Sequence, residues 1–397
     1  MATSARSSRL SATLRDEDTV TPLELFFDLV FVLALTQCTA LMAADPTWEG
    51  LVRGLLVLGV LWWSWVGYAW LTSVVNPEEG SVRIAMFAAM AALLVAALAV
   101  PDVYGDDALL FACAYGAVRV GQIALFVIAS RDDPKLRSSV VGLALSTAIG
   151  VSLLVTASFA DGRLQGAIWA IALAIDMGGP LVIRSEGWKL MPSHFAERHG
   201  LIVIIALGES IVAIGLGAGD LLGTGAVVAA VIGIAISAAL WWLYFDVVAI
   251  VAERRLSEAE PGSEQNEMAR DSYSYLHFPM IAAIVLIALG LKKTLEHVDE
   301  PLEAVPAAAL FGGAALYLLA HVAFRLRNVH TLNRQRLLCA GLLLALVPLA
   351  TQIDALAAVG LLAGVLVAVI AYEALRFSDA RDRVRHELAR DHLPGSS

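Results

Sequence analysis

Twelve apolar runs of membrane-spanning length dominate the chain, at 22–43, 51–75, 83–100, 106–129, 136–158, 164–183, 199–217, 223–252, 273–291, 304–325, 335–351 and 353–376. A hydrocarbon layer about 30 Å thick is crossed by about 20 helical residues rising roughly 1.5 Å each. In that solvent a segment must satisfy its own backbone, and runs this long and continuous do so as helices. A mean hydropathy of +0.75, with 59% hydrophobic and 16% charged residues, excludes a soluble globular domain. The expected fold is an all-α, polytopic transmembrane bundle of about twelve helices, with the lipid bilayer as its first partner.

Arg6, Arg9 and Arg15 before the first run, and Ala43-Ala44 after it, imitate a secretory signal. Glu24 and Asp28 inside the run, and its length of about twenty residues, favour a retained helix instead. Basic residues set the orientation. With the N-terminus inside, 22 Lys/Arg fall on the cytoplasmic side and four, Arg53, Arg163, Lys292 and Lys293, fall outside, while Arg119 lies within a run. Both termini are therefore expected in the cytoplasm. Residues 1–20 read as a polar tail, Glu253 to Asp271 as a mixed-charge cytoplasmic loop, and Arg376 to Arg390 as a charged continuation of the last helix.

The net charge of −10 argues against a nucleic-acid surface. Cys38, Cys113 and Cys339 are scattered singly, so neither a disulfide framework nor a metal cluster is expected, and they read as small buried hydrophobes. No phosphate loop, nucleophile elbow or dinucleotide fingerprint occurs, and no cofactor is implied.

The chain also matches itself. Leu29 set against Leu201 aligns LVFVLALTQC with LIVIIALGES without a gap, pairing Gln37 with Glu209. In the same order, Leu61-Trp62-Trp63-Ser64-Trp65 pairs with Leu240-Trp241-Trp242-Leu243-Tyr244, and Phe87 to Leu98 with Phe278 to Leu289. Tyr115 and Arg119 pair more weakly with Tyr317 and His321. This predicts a first six-helix repeat at 21–183, a linker at 184–193 where Gly187 and Pro192 break the helical pattern, a second repeat at 194–376 and a tail at 377–397. An even number of crossings per repeat makes the two halves parallel, with a pseudo-two-fold axis along the membrane normal.

Ionisable groups within such runs are expensive and are functional candidates by default. Here they are Glu24, Asp28, Arg119, Asp176, Glu209, Asp246, His321 and Glu373. Nearly all fall within about 15 Å of the cytoplasmic ends of their helices. That distribution suggests a polar vestibule open to the cytoplasm and a drier outer half. Glu24 and Asp28, four apart, share a helix face, and pairing Arg119 with Asp28 or Glu209 would neutralise two costly groups. Glu373 reads as an interfacial anchor. Ahead of Glu209 stands a polar cluster, His194, Glu197, Arg198 and His199, with Arg198 and Glu209 on one face of the helix. The spacing of His194, Glu197 and His199 does not set both imidazoles on one face as in HExxH, so a metal site is not expected. Trp62, Trp63, Trp65, Trp70, Trp241 and Trp242 lie along their helices and read as packing aromatics.

TPLELFFDLVFVLALTQ at Thr21 to Gln37, HFAERHGLIVIIALGESIVAIG at His194 to Gly215 and the LWW of the eighth run together resemble the bacterial low temperature requirement A family. The resemblance implies a multi-pass protein of the bacterial plasma membrane. Its signature positions fall on Glu24, Phe26, Phe27 and Asp28, and on His194, Phe195, Glu197, Arg198, Gly208, Glu209 and Ser210. Phe26-Phe27-Asp28-Leu29 is also similar to the first-helix FSD motif of the lysosomal and bacterial potassium-channel family, in which duplicated six-helix units surround a pore. Phe27 replaces its Ser, and His199-Gly200 stands where the second copy would be.

These readings converge on a protein, not an enzyme, that moves an ion or small solute between the first and seventh helices, with possible homo-oligomerisation. Glu209, Gln37, Ser210 and Asp28 would line the path, and Glu24, Arg119, Glu197, Arg198 and His199 would form gating or structural ion pairs. Glu209→Gln is expected to abolish flux. The alternatives are a non-transporting component for cold or envelope adaptation, acting through lipids or protein partners, and a membrane-embedded lipid-modifying enzyme.

Overall fold

A computed structural model of the chain describes residues 19–182, 187–218 and 223–376. Among the described residues twelve long helices follow in order. They are α1 (Pro22–Ala44), α2 (Trp48–Val74), α3 (Gly80–Leu98), α4 (Ala108–Ala129), α5 (Pro134–Ala157), α6 (Gly162–Val182), α7 (Pro192–Gly217), α8 (Thr224–Glu258), α9 (Ser263–Glu296) and α10 (Ala304–Val329), then α11 (Arg334–Ala350) and α12 (Ala355–Arg376). Eleven are long and apolar enough to cross a membrane. α11 is shorter, with 17 residues and Pro348 inside it. Among the described residues there is no β-strand beyond a bridge between Pro301 and Asp354.

The helix starts follow local chemistry. Thr47 accepts from Gly50 N at 3.1 Å to open α2, Asn333 accepts from Arg336 N at 3.2 Å to open α11, and Asp133 caps α5 ahead of Pro134. α7 begins at Pro192, so the His194–His199 cluster forms its first two turns and does not precede it. The expected loop at Glu253 to Asp271 is largely helical, ending α8 and beginning α9 through a π-helical stretch at Ala269–Tyr275. Ala252 and Leu256 are buried one turn apart, an apolar stripe that the charged composition conceals. α11 and α12 are separated at Thr351–Asp354. The expected continuation from Arg376 to Arg390, the tail 377–397 and most of 1–20 lie outside the described residues, as does part of the expected linker.

The helices form two compact units. The first holds the described residues through Ala206 and Leu256–Phe278, and the second Leu207–Arg255 and the described residues from Pro279 onward. In the first, α2 is the axis: 83% of its most apolar stretch is buried, and it packs on α1, α4 and α6. Trp62, Trp65 and Tyr68 are fully buried, and the Tyr68 hydroxyl donates to Val118 O across to α4 at 3.0 Å. Gly59 lets α6 approach, because a Cβ there would lie 2.6 Å from Leu173 Cδ2.

In the second unit α8 packs on α12, and α11 packs on both α10 and α12. The Tyr317 hydroxyl donates to Leu240 O at 2.9 Å. Glu373 is gripped by Arg336, Nε to Oε1 at 2.9 Å and Nη2 to Oε2 at 2.8 Å, with Asn333 adding a bond at 3.1 Å. It is a paired group. Trp241 and Trp242 are exposed at 44% and 39%, so the packing role expected of both Trp clusters holds for α2 and fails for α8. Cys38 and Cys339 are buried as expected, whereas Cys113 lies on an exposed face.

Candidate functional site

α1 opens on a reciprocal cap. Thr21 Oγ1 accepts from Glu24 N at 3.4 Å, and Glu24 Oε2 accepts from Thr21 N at 2.9 Å and from the Thr21 hydroxyl at 3.0 Å. Pro22 fills a first-turn position where no N–H is needed. One turn on, Asp28 faces the same way. α7 carries His194 and Arg198 at the same four-residue spacing. His194 Nε2 lies 2.9 Å from Glu24 Oε1, and Arg198 Nη2 donates to Asp28 Oδ1 at 2.5 Å. Both rungs join residues 170 apart in sequence, so the first turns of α1 and α7 run side by side in the same direction.

α2 supplies the third wall of this ladder. Trp65 Nε1 donates to Asp28 Oδ1 at 2.8 Å, and Arg198 Nη1 donates to Thr72 Oγ1 at 2.9 Å while lying 3.5 Å from Glu24 Oε1. The Arg198 guanidinium also sits over the Trp65 ring, 5.5 Å from its centroid. Ser73 Oγ is 3.3 Å from His194 Nδ1. Glu24, Asp28, His194 and Arg198 are all 0% exposed.

The charge balance is the chemically informative feature. Two carboxyl groups face one guanidinium and one imidazole, so these four side chains hold one more acid than permanent base. His194 is the member of the four whose ring nitrogens can both carry a proton. Ser73 accommodates either state, because a hydroxyl donates to a bare ring nitrogen or accepts from a protonated one. Asp28 Oδ2 and Arg198 Nε are buried without a hydrogen-bond partner among the described residues, so the second rung holds by one contact where a bidentate pair would hold by two.

His199 stands beside the ladder with a different partner set. Its Nδ1 lies 2.8 Å from Phe195 O, which makes Nδ1 the donor and leaves Nε2, buried and unpartnered among the described residues, as an acceptor. The ring is boxed by Phe195, Trp65, His277 and Tyr273, with centroids 4.5 to 5.2 Å away. The π-helical stretch builds part of this box, since Ser272 O binds His277 Nδ1 at 3.0 Å.

A second ion pair lies deeper in the same unit. Arg119 Nη2 donates to Asp176 Oδ1 at 2.8 Å and to Thr147 Oγ1 at 2.7 Å, Thr147 donates to Asp176 Oδ1 at 2.9 Å, and the Tyr115 hydroxyl donates to Asp176 Oδ2 at 2.7 Å. Both carboxylate oxygens are satisfied. The partner of Arg119 is therefore Asp176, where the sequence pointed to Asp28 or Glu209, and Arg198 is a second fully buried arginine. A carboxylate saturated in this way holds helices together, whereas in the ladder Asp28 Oδ2 has no hydrogen-bond partner among the described residues.

The remaining expected residues disperse. Glu197 is exposed on α7, where its Oε2 accepts from Val20 N at 3.1 Å. Gln37 is half-buried on α1 in the first unit. Glu209 and Ser210 are buried in the second unit, and Ser210 Oγ has no hydrogen-bond partner among the described residues. Among the described residues no three His, Cys, Asp or Glu side chains are placed to hold a metal ion. Thr72, Ser73 and Thr147 escaped the sequence reading, and Trp65 was read there only as a packing aromatic. The readable signal was the Thr-x-x-Glu cap and the matched spacings of Glu24 with Asp28 and His194 with Arg198.

Twelve long helices among the described residues, eleven of them long and apolar enough to cross a membrane, define a multi-pass integral membrane protein. The chain belongs to the bacterial low temperature requirement A protein (LtrA) family, whose model matches residues 19–371. It is also similar to an uncharacterized protein of Rhizobium meliloti (strain 1021), 29% identical over 307 residues that cover 74% of each chain.

Proposed function

We propose that the protein is a proton-linked transporter of an ion or small solute in the bacterial plasma membrane, and that the ladder between α1 and α7 is its gate. One observation carries this reading: four fully buried ionisable side chains that hold one more acid than permanent base, with a Ser73-backed imidazole able to take up the balancing proton. When His194 is protonated the cluster is neutral and closed. Loss of that proton leaves repelling carboxylates around a single guanidinium, which favours separation of α1 from α7 and entry of water. A cation drawn to the bared carboxylates would restore the balance and couple its passage to the proton. Glu209 and Ser210, eleven and twelve residues beyond Arg198 in sequence, serve in this proposal as path residues of the second unit, and Gln37 as one of the first.

The same proposal takes the chain as two parallel six-helix repeats with both termini in the cytoplasm. Recurrent contacts support it. α2 packs on α6 as α8 packs on α12, and α4 on α5 on α6 as α10 on α11 on α12. A tyrosine hydroxyl to backbone carbonyl bond ties α2 to α4 through Tyr68 and α10 to α8 through Tyr317. Each half also ends on a carboxylate held by an arginine of its own half, Asp176 by Arg119 and Glu373 by Arg336.

The test is flux in vesicles loaded with a pH-sensitive dye, with valinomycin and potassium to compensate charge and a mixture of alkali cations, amino acids and small carboxylates outside. The native protein is expected to collapse an imposed pH gradient, and Glu24→Gln and His194→Gln to slow it at least tenfold while staying folded. Rates equal to those of empty vesicles would overturn transport, and unchanged rates in both variants would overturn the ladder as its gate.

A further inference from the structure

Away from the ladder, the first unit holds a partly open cavity of about 70 Å³ between α2, α4, α5, the end of α6 and the start of α9. Neither Glu24, Asp28, His194 nor Arg198 lines it. Four aromatic rings do: Trp63, Trp70, Phe126 and Trp188. Trp188 anchors this wall, edge-on to Phe126 at 4.9 Å and to Trp70 at 5.7 Å.

The polar part of the lining is one-sided. Arg119, Gln122, Asn266 and Arg270 reach the cavity, and among the described residues no carboxylate does. Asp176 and Asp271 stand outside the lining, bound to Arg119 and Arg270 at 2.8 Å each. Trp63 Nε1 and Arg119 Nε, both on lining residues, are buried donors without a hydrogen-bond partner among the described residues. Gln122 gives Oε1 to Arg119 Nη1 at 2.7 Å, which leaves its amide hydrogens to offer. A buried donor costs free energy until an acceptor reaches it, and a bound cation would meet two guanidinium groups.

We propose that this cavity binds a small organic anion with an apolar, preferably flat, body. The carboxylate or phosphate faces Arg119 and Gln122, with Arg270 at the rim, and the body lies among the tryptophans. Two sources share that chemistry, a soluble aromatic carboxylate and an anionic lipid. The proposal concerns occupancy and stands or falls separately from proton-linked flux.

The experiment is equilibrium binding of radiolabelled benzoate and benzamide to the full chain in nanodiscs of phosphatidylcholine. Benzoate is expected to bind saturably and at least tenfold more tightly than its neutral isostere. Arg270→Gln, at a partly exposed site, should weaken benzoate about tenfold and leave benzamide unchanged, since the charge is lost and the wall is not. Trp188→Ala should weaken both, and Trp188→Leu, which keeps the apolar bulk, stands in if the alanine variant does not fold. Loss of benzoate binding on replacing the lipid with phosphatidylglycerol assigns the site to a lipid headgroup, and retention assigns it to a soluble anion. Equal affinity for benzoate and benzamide, or benzoate binding indifferent to both Arg270→Gln and the Trp188 variant, overturns the proposal.

Discussion

His194 Nε2 stands 2.9 Å from Glu24 Oε1, while the other oxygen of the same carboxylate closes the first turn of α1 by accepting from Thr21. One side chain therefore both starts a helix and joins it to its neighbour. Thr21→Ala removes only the cap and is expected to cost about 1 kcal/mol. Glu24→Ala also strands His194 and should cost about 2–4 kcal/mol. Thermal unfolding of the two variants in detergent checks the order.

The second rung predicts non-additivity. Arg198→Leu leaves Asp28 as a buried, uncompensated charge and should destabilise by about 3–5 kcal/mol. Adding Asp28→Leu should recover most of that loss, since an apolar pair replaces an ionic one. Additive losses across the four-member cycle would show that the two side chains do not depend on one another.

Asp176→Asn should separate stability from flux. It deprives Arg119 of its counter-charge at a site 1% exposed, so a loss of about 3–5 kcal/mol is expected. Proton-linked flux per folded molecule should stay within about twofold of native, because both Asp176 oxygens are already held by Arg119, Thr147 and Tyr115 and the pair lies apart from the ladder. A tenfold loss of flux with unchanged stability would move the functional site to this pair.

These contrasts show what could be read beforehand. Helix number and class followed from apolar length alone, and α1 and α7 stood out because each carries charge where lipid tolerates little. Partner choice did not follow. The rungs form because α7 starts at Pro192, which puts His194 and Arg198 on its opening turns; a start at 199 leaves Arg198 outside the helix and only Arg119 to neutralise Asp28. Asp176 offered no local pattern at all, since its partners come from α4 and α5, 29 to 61 residues away. Side chains of α2 such as Thr72 and Ser73 resemble ordinary small polar residues until three helices meet.

Ser73→Ala removes the hydroxyl beside His194 Nδ1 and is expected to lower proton-linked flux several-fold at a stability cost of about 1 kcal/mol. Ser73→Thr keeps the hydroxyl and should retain flux. Equal behaviour of the two in the vesicle assay would remove Ser73 from the gate.

Gly67→Ala tests the close approach of α2 and α4. A Cβ there would fall 2.3 Å from Gln122 Nε2 and 2.4 Å from its Oε1, so the amide must leave Arg119. A loss of about 1–3 kcal/mol is expected. Combining it with Gln122→Ala should give less than the sum of the single losses, measured as melting temperature.

Trp65 holds Asp28 through Nε1 and lies under the guanidinium of Arg198, so its indole feels both charges of the second rung. Indole emission follows the electric field across the ring and the polarity around it. Separation of the rung would change that field at the chromophore itself. Trp65 is thus an intrinsic optical reporter of the ladder, its share of the emission of the nine tryptophans read in real time by stopped-flow spectroscopy as the difference between the native protein and Trp65→Phe, with no dye, label or added cysteine.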